Sequence, residues 1–279
     1  MSPILRMALI LSLMLICQLQ AQLEVTVKPQ RQDYLLGEDI HVELVLYNNS
    51  TSAISLAKLP GRPWLSLEVG VAGDARLLAP KVVANYPSVS LPPGRKMAYK
   101  INLSQSYAFN MDGDYRLSAI VRMPDMKTAY SSPKSRFRIS NGSLHKKFIT
   151  HVRGKRLEMR AKFWQIGNKN AIFGQVADAD SGRVIGAAYM GSFLNFMEPR
   201  YLLDAKQNLH MLFQSTPEFF TYSILSTTGK CSFSKIYKRA PGGPVTLVSR
   251  GGAIQVIGAV PYEKPKAEER HRDATERPF

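Results

Sequence analysis

Apolar and polar residues alternate one by one along most of this chain. Leu23, Val25 and Val27 alternate with Glu24, Thr26 and Lys28. Ile40, Val42, Leu44 and Leu46 are spaced by His41, Glu43 and Val45. A period of two places one face of a strand on a core and the other in water. On this basis strands are expected over 23–29, 40–47, 53–57, 64–69, 96–103, 114–122 and 134–140. Turn-forming clusters divide them: Leu36-Gly37-Glu38-Asp39, Asn48-Asn49-Ser50-Thr51, Pro92-Pro93-Gly94 and Asp112-Gly113-Asp114. Several short strands with frequent turns point to a β-sandwich over residues 22–140. The alternation resumes at Leu157–Ile166 and continues through 172–176, 184–189, 201–203, 209–213, 219–225, 231–237, 245–248 and 254–260. The polar, glycine-containing stretch 141–156 reads as a basic linker. The fold class expected is therefore all-β, with a second β domain over 157–262.

Within that second domain the pattern echoes itself. Pro199, Leu202, Leu209, Met211 and Phe213 match Pro244, Leu247, Ile254, Val256 and Gly258 at a constant offset of 45 residues. The turns Ser181-Gly182-Arg183 and Thr228-Gly229-Lys230 echo one another at offset 47. A period near 45 residues is the spacing of a four-stranded unit, as in a propeller blade. About nine strands make little more than two blades, and a closed propeller needs at least four. A compact β domain inside one chain is the expectation, with completion by another chain as the alternative.

The stretch Gly113-Asp114-Tyr115-Arg116-Leu117 resembles the Gly-x-Tyr-x-Cys segment of immunoglobulin-like domains. The resemblance covers about 120 residues, and it implies a sandwich in which the Tyr115 hydroxyl ties a corner to nearby backbone. Leu117 stands where those domains carry a cysteine, which removes the disulfide and keeps an apolar core position. Trp64, followed by Leu65 and Leu67, would be the core tryptophan. The resemblance speaks to fold, since such sandwiches serve many functions.

The two ends depart from the β pattern. Arg6 precedes the apolar run Met7–Cys17, which is short for a membrane span and resembles an export signal cleaved near Ala21. Removal of residues 1–21 would leave a secreted or periplasmic chain with Cys231 alone, and so without an internal disulfide. Cys231, Phe233 and Tyr237 alternate, so all three are expected to face inward. The tail 263–279 is almost wholly polar and is expected to be disordered.

Charge adds the one functional hint. The formal net charge is +16. Residues 134–162 hold ten basic side chains against one acidic: Lys134, Arg136, Arg138, Lys146, Lys147, Arg153, Lys155, Arg156, Arg160 and Lys162, with Glu158. Such a density attracts polyanions. Outside the cytoplasm these are acidic glycans, lipid head groups or related polymers; a protein partner is also open and nucleic acid is disfavoured. The alternative is a solvated linker and sheet face. Period-two spacing puts Lys134, Arg136 and Arg138 on one outer face.

Other chemistry is sparse. Asp178 and Asp180 ahead of Gly182 resemble the start of a calcium loop, but the later glutamate is missing, and a hairpin turn whose aspartates bond to local backbone is the expected reading. His210 should face solvent, opposite Leu209, Met211 and Phe213. No spacing suggests zinc, a nucleophile or a nucleotide cradle, so no catalytic residue and no cofactor is assigned. The reading is an exported, non-enzymatic binding or adaptor protein. Its rivals are an extracytoplasmic carbohydrate-active enzyme with an accessory sandwich, and a structural subunit of a surface assembly.

Overall fold

The computed structural model describes residues 22–57, 62–84, 86–125 and 127–263. The expected export signal, residues 1–21, and nearly all of the expected tail lie outside the described residues. The N-terminal region contains β1 (Leu23–Pro29), β2 (Asp33–Leu35), β3 (His41–Asn48), β4 (Ile54–Leu56), β5 (Leu65–Val71), β6 (Val89–Leu91), β7 (Lys96–Asn102), β8 (Gly113–Arg122), β9 (Ala129–Ser131) and β10 (Ser135–Ser140). One sheet runs β1-β3-β7. The other runs β2-β10-β8-β5, with β9 on β8, and β4 pairs with β6. Strand β2 joins β10 in parallel; the other pairings are antiparallel. The alternating apolar positions meet between the sheets: Val25, Val42, Leu44 and Leu46 from one, Val69, Leu117, Val121 and Phe137 from the other, all buried. Burying each such side chain stabilises by roughly 1.5–3 kcal/mol. Strands β2, β6 and β9 are three residues long, too short to show a period in sequence.

The expected linker is not there. Residues 143–152 form a ten-residue strand, β11 (Ser143–Val152), and only Asn141-Gly142 separate it from β10. Alternation in β11 is masked, because its partly buried residues include His145 and the exposed ones include Leu144 and Ile149. A bulge between Leu144 and Lys146 breaks the period as well. Strand β11 opens an antiparallel sheet with β12 (Lys155–Ile166), β13 (Lys169–Asp178) and β14 (Val184–Ser192), in that order.

A second sheet follows the order β15 (Arg200–Leu203), β16 (Leu209–Gln214), β17 (Phe219–Leu225), β18 (Cys231–Arg239) and β21 (Ala259–Pro261). The hairpin β19 (Thr246–Arg250) and β20 (Ala253–Ile257) stands apart from it. Met159, Ile172, Met190, Met211, Phe213 and Leu225 fill the space between the β11–β14 sheet and the β15–β21 sheet. Leu212, Phe220 and Tyr222 on the far face pack against Val245 and Leu247 of the hairpin region.

These layers explain the internal echo. The offset of 47 relates two hairpin turns, β13–β14 and β17–β18. The offset of 45 relates two hairpins, β15–β16 and β19–β20. Each echoed unit is thus two successive hairpins, the first in one layer and the second in the next. The sheets stack face to face, and the propeller-like spacing does not build blades. The echo is also inexact, since Leu202 pairs with His210 while its counterpart Leu247 pairs with Val256, one register position further.

The two halves of the chain are joined by the turn after β2. Leu35 is buried with Ala171, Phe173 and Ala187 on the outer face of the β11–β14 sheet. The Leu36 carbonyl accepts a hydrogen bond from Gln175 Nε2 at 2.8 Å, and the Gly37 carbonyl accepts one from the Ala187 N–H at 2.8 Å. Gly37 has φ +94, and a Cβ there would collide with Val184. Only glycine meets both demands without strain.

Candidate functional site

The residues singled out for structure sit in the first sandwich. Tyr115 lies at the start of β8, is 2% exposed, and donates its hydroxyl to the Met111 carbonyl at 2.8 Å. Its ring stacks on Phe137, and burial raises its hydroxyl pKa. Leu117, two residues on, is fully buried, and Trp64 is 1% exposed with its indole N–H donated to the Pro87 carbonyl at 2.9 Å.

The ten basic side chains separate into two groups. Arg160 is partly buried, 3.0 Å from Glu158 and hydrogen-bonded to Gln175. Lys162 is 4% exposed and donates to both the carbonyl and the side-chain oxygen of Asn141, at 2.6 and 2.7 Å; burial lowers its pKa. Lys162 thereby ties β12 to the junction between β10 and β11, while Arg160 is engaged within the β12–β13 pair. The other eight, Lys134, Arg136, Arg138, Lys146, Lys147, Arg153, Lys155 and Arg156, are exposed. Arg136 and Arg138 share the outer face of β10, as period-two spacing implied, while Lys134 precedes the strand. Lys146 and Lys147 lie on β11, which is an edge strand, and Arg153, Lys155 and Arg156 surround the turn into β12. Acidic partners are few and loose: Asp114 at 4.0 Å from Arg138 and Asp180 at 3.4 Å from Arg156. Across β10 and β8, Arg136 faces Arg116, whose Nε is buried without a hydrogen-bond partner.

Asp178 and Asp180 fold into the β13–β14 turn. Asp178 Oδ1 accepts from the backbone N–H of Asp180 and from both the N–H and hydroxyl of Ser181, and these hydrogen bonds lower its pKa. No cluster of three or more metal-ligating side chains occurs among the described residues.

His210 differs from its expected position. It is 6% exposed, because the β19–β20 region covers the face of β16 that alternation assigned to water. Its Nδ1 lies 2.5 Å from the Tyr222 hydroxyl and its Nε2 3.1 Å from Asp204 Oδ2. Burial pushes the Tyr222 hydroxyl up to about 12. The three side chains satisfy one another within the core. Cys231 and Phe233 also part company. A register shift opposite Ile224/Leu225 turns Cys231 toward the inner cluster and leaves Phe233 41% exposed.

Comparisons with known proteins add little. No family model and no curated protein matches the chain. Among solved structures, the sporulation control protein Spo0M from Bacillus subtilis aligns over 59% of this chain and 83% of its own, at 9% identity and a TM-score of 0.31. The YadV chaperone aligns over 77% of this chain and 99% of its own, at 10% identity and a TM-score of 0.25.

Proposed function

We propose that this chain is an exported, non-enzymatic binding or adaptor protein whose partner is polyanionic, with an immunoglobulin-like first domain. The fold part of the reading is supported by Tyr115 at the start of β8, its bond back to Met111, and Leu117 two residues later in the core. The functional part is carried by one observation: eight of the ten basic side chains between 134 and 162 are exposed and have few acidic neighbours. Self-contained ion pairing does not account for them. Their placement on β10, β11 and the following turn lets a long flexible polyanion touch several at once.

The test is retention on immobilised polygalacturonate and on anionic vesicles. Exposed charges are screened over about 8 Å at physiological ionic strength, so retention should fall steeply as salt is raised above that level. Replacing Lys146, Lys147, Lys155 and Arg156 together by Glu should abolish it without lowering the melting temperature. Retention that ignores salt, or survives the reversal, would reduce these residues to a solvated surface.

A further inference from the structure

A groove crosses the junction of the two domains. One cavity of about 430 Å³ is walled by Asp33, Arg138 and Ser140 from the first domain and by Trp164 and Gln165 from the second. A neighbouring cavity of about 380 Å³ shares Asp33 and Arg138 and extends to Arg136. Neither half of the chain forms the first cavity alone. It exists because the Leu35–Gly37 turn docks on the β11–β14 sheet and the Lys162 ammonium grips Asn141.

We propose that this groove binds a short stretch of an acidic glycan, a chain of pyranose rings bearing carboxylates. This rests on the polyanion reading above and names the class of polymer. A sugar ring has an apolar C–H face, and an indole offers the flat apolar surface that matches it. Trp164 is held in place by Phe173, 5.7 Å away at a 59° tilt. Gln165 and Ser140 supply both donors and acceptors for ring hydroxyls. Arg138 and Arg136 follow one another on the same strand face, and a guanidinium takes a carboxylate in two-point fashion. Asp114 holds Arg138 only loosely, at 4.0 Å with both side chains 68% exposed, so the guanidinium is free to turn. Arg136 faces Arg116 across the strands, a like-charge pair that a bound anion would relieve. A polyphosphate, or an acyclic lipid head group such as phosphoserine or phosphoglycerol, has no apolar ring face and would leave Trp164 unused.

Tetragalacturonate is the probe, with maltotetraose as its neutral counterpart and tripolyphosphate as charge without rings. The chain has two tryptophans, and Trp64 is sealed in the first core with its N–H bonded. A change in emission therefore reports on Trp164. Tetragalacturonate should shift the emission of the mature chain, and the other two should not. By calorimetry, Trp164→Ala and Arg138→Gln should each weaken tetragalacturonate binding by about tenfold or more, in line with indole and guanidinium anchors elsewhere. Arg138 is exposed, so its variant tests the groove even if Trp164→Ala fails to fold. Undiminished binding by Arg138→Gln, or full competition by tripolyphosphate, overturns the proposal. So does absence of tetragalacturonate binding by the unaltered protein. The four-residue charge reversal separates the two readings. Tetragalacturonate binding that persists while the reversed variant still adheres to polymer keeps the groove and discards the basic patch; the opposite pair of results does the reverse.

Discussion

At the scale of single residues, three positions give the clearest tests. Tyr115 bonds its hydroxyl to Met111, so Tyr115→Phe should lower stability by about 1 kcal/mol, the usual net worth of one hydrogen bond. Leu117→Ala empties a fully buried site and should cost roughly 2–5 kcal/mol in urea unfolding. Gly37→Ala places a methyl group against Val184 at a positive φ, which should cost at least about 1 kcal/mol. It should also split a single calorimetric transition into two, because the same turn packs the first half of the chain on the β11–β14 sheet. Glu38, next in sequence, is 8% exposed; burial raises its carboxyl above the ordinary 4.5 although Arg31 and the Leu35 N–H pull the other way. A carboxyl raised in the folded state binds more protons there than in the unfolded chain. Its contribution to stability therefore falls as pH rises from 4.5 through the folded value. Glu38→Gln should flatten that slope in urea midpoints measured across the range; an unchanged slope would assign it to other groups.

At the scale of elements, β11 carries two meanings at once. It is the outer strand of its sheet, and unpaired edges invite strand addition. Lysines and a bulge are common protection for such edges, and β11 has both. Charge sign distinguishes protection from recognition. Lys146→Thr with Lys147→Thr should produce higher oligomers in size-exclusion chromatography, since threonine suits a strand and carries no charge. The glutamate reversals should stay monodisperse yet lose polyanion binding. Hydrogen exchange should follow the layering: amides of β13, covered on both faces, exchange slowest, and those on the free side of β11 fastest.

At the scale of the whole molecule, the stacking of successive sheets decides which residues are buried. Strand β13 is buried throughout 171–177 and β16 at every position, because each has a packed layer on both faces. That is how His210 comes to lie in the core with Asp204 and Tyr222, although its polar character and its alternation suggested water. The same stacking turns a sequence echo into two hairpins in neighbouring layers. It also sets Trp164 beside Arg138, 26 positions apart in sequence and on different sheets.

Local order in the sequence was enough to determine the all-β class, most strand positions, the buried Tyr115, Leu117 and Trp64, and the outward-facing Arg136 and Arg138. Tyr115, Leu117 and Trp64 were legible through the resemblance to immunoglobulin-like domains, and the rest through the alternation within one strand or a short turn, interactions that lie within a few residues. Tertiary structure alone decided that 143–152 is a strand, that Lys162 is tied to Asn141 and Arg160 to Glu158 and Gln175, and that His210 is enclosed. Those outcomes depend on which face of which sheet another layer covers. Period-two alternation separates the two faces of a strand, but it cannot say that both will be covered.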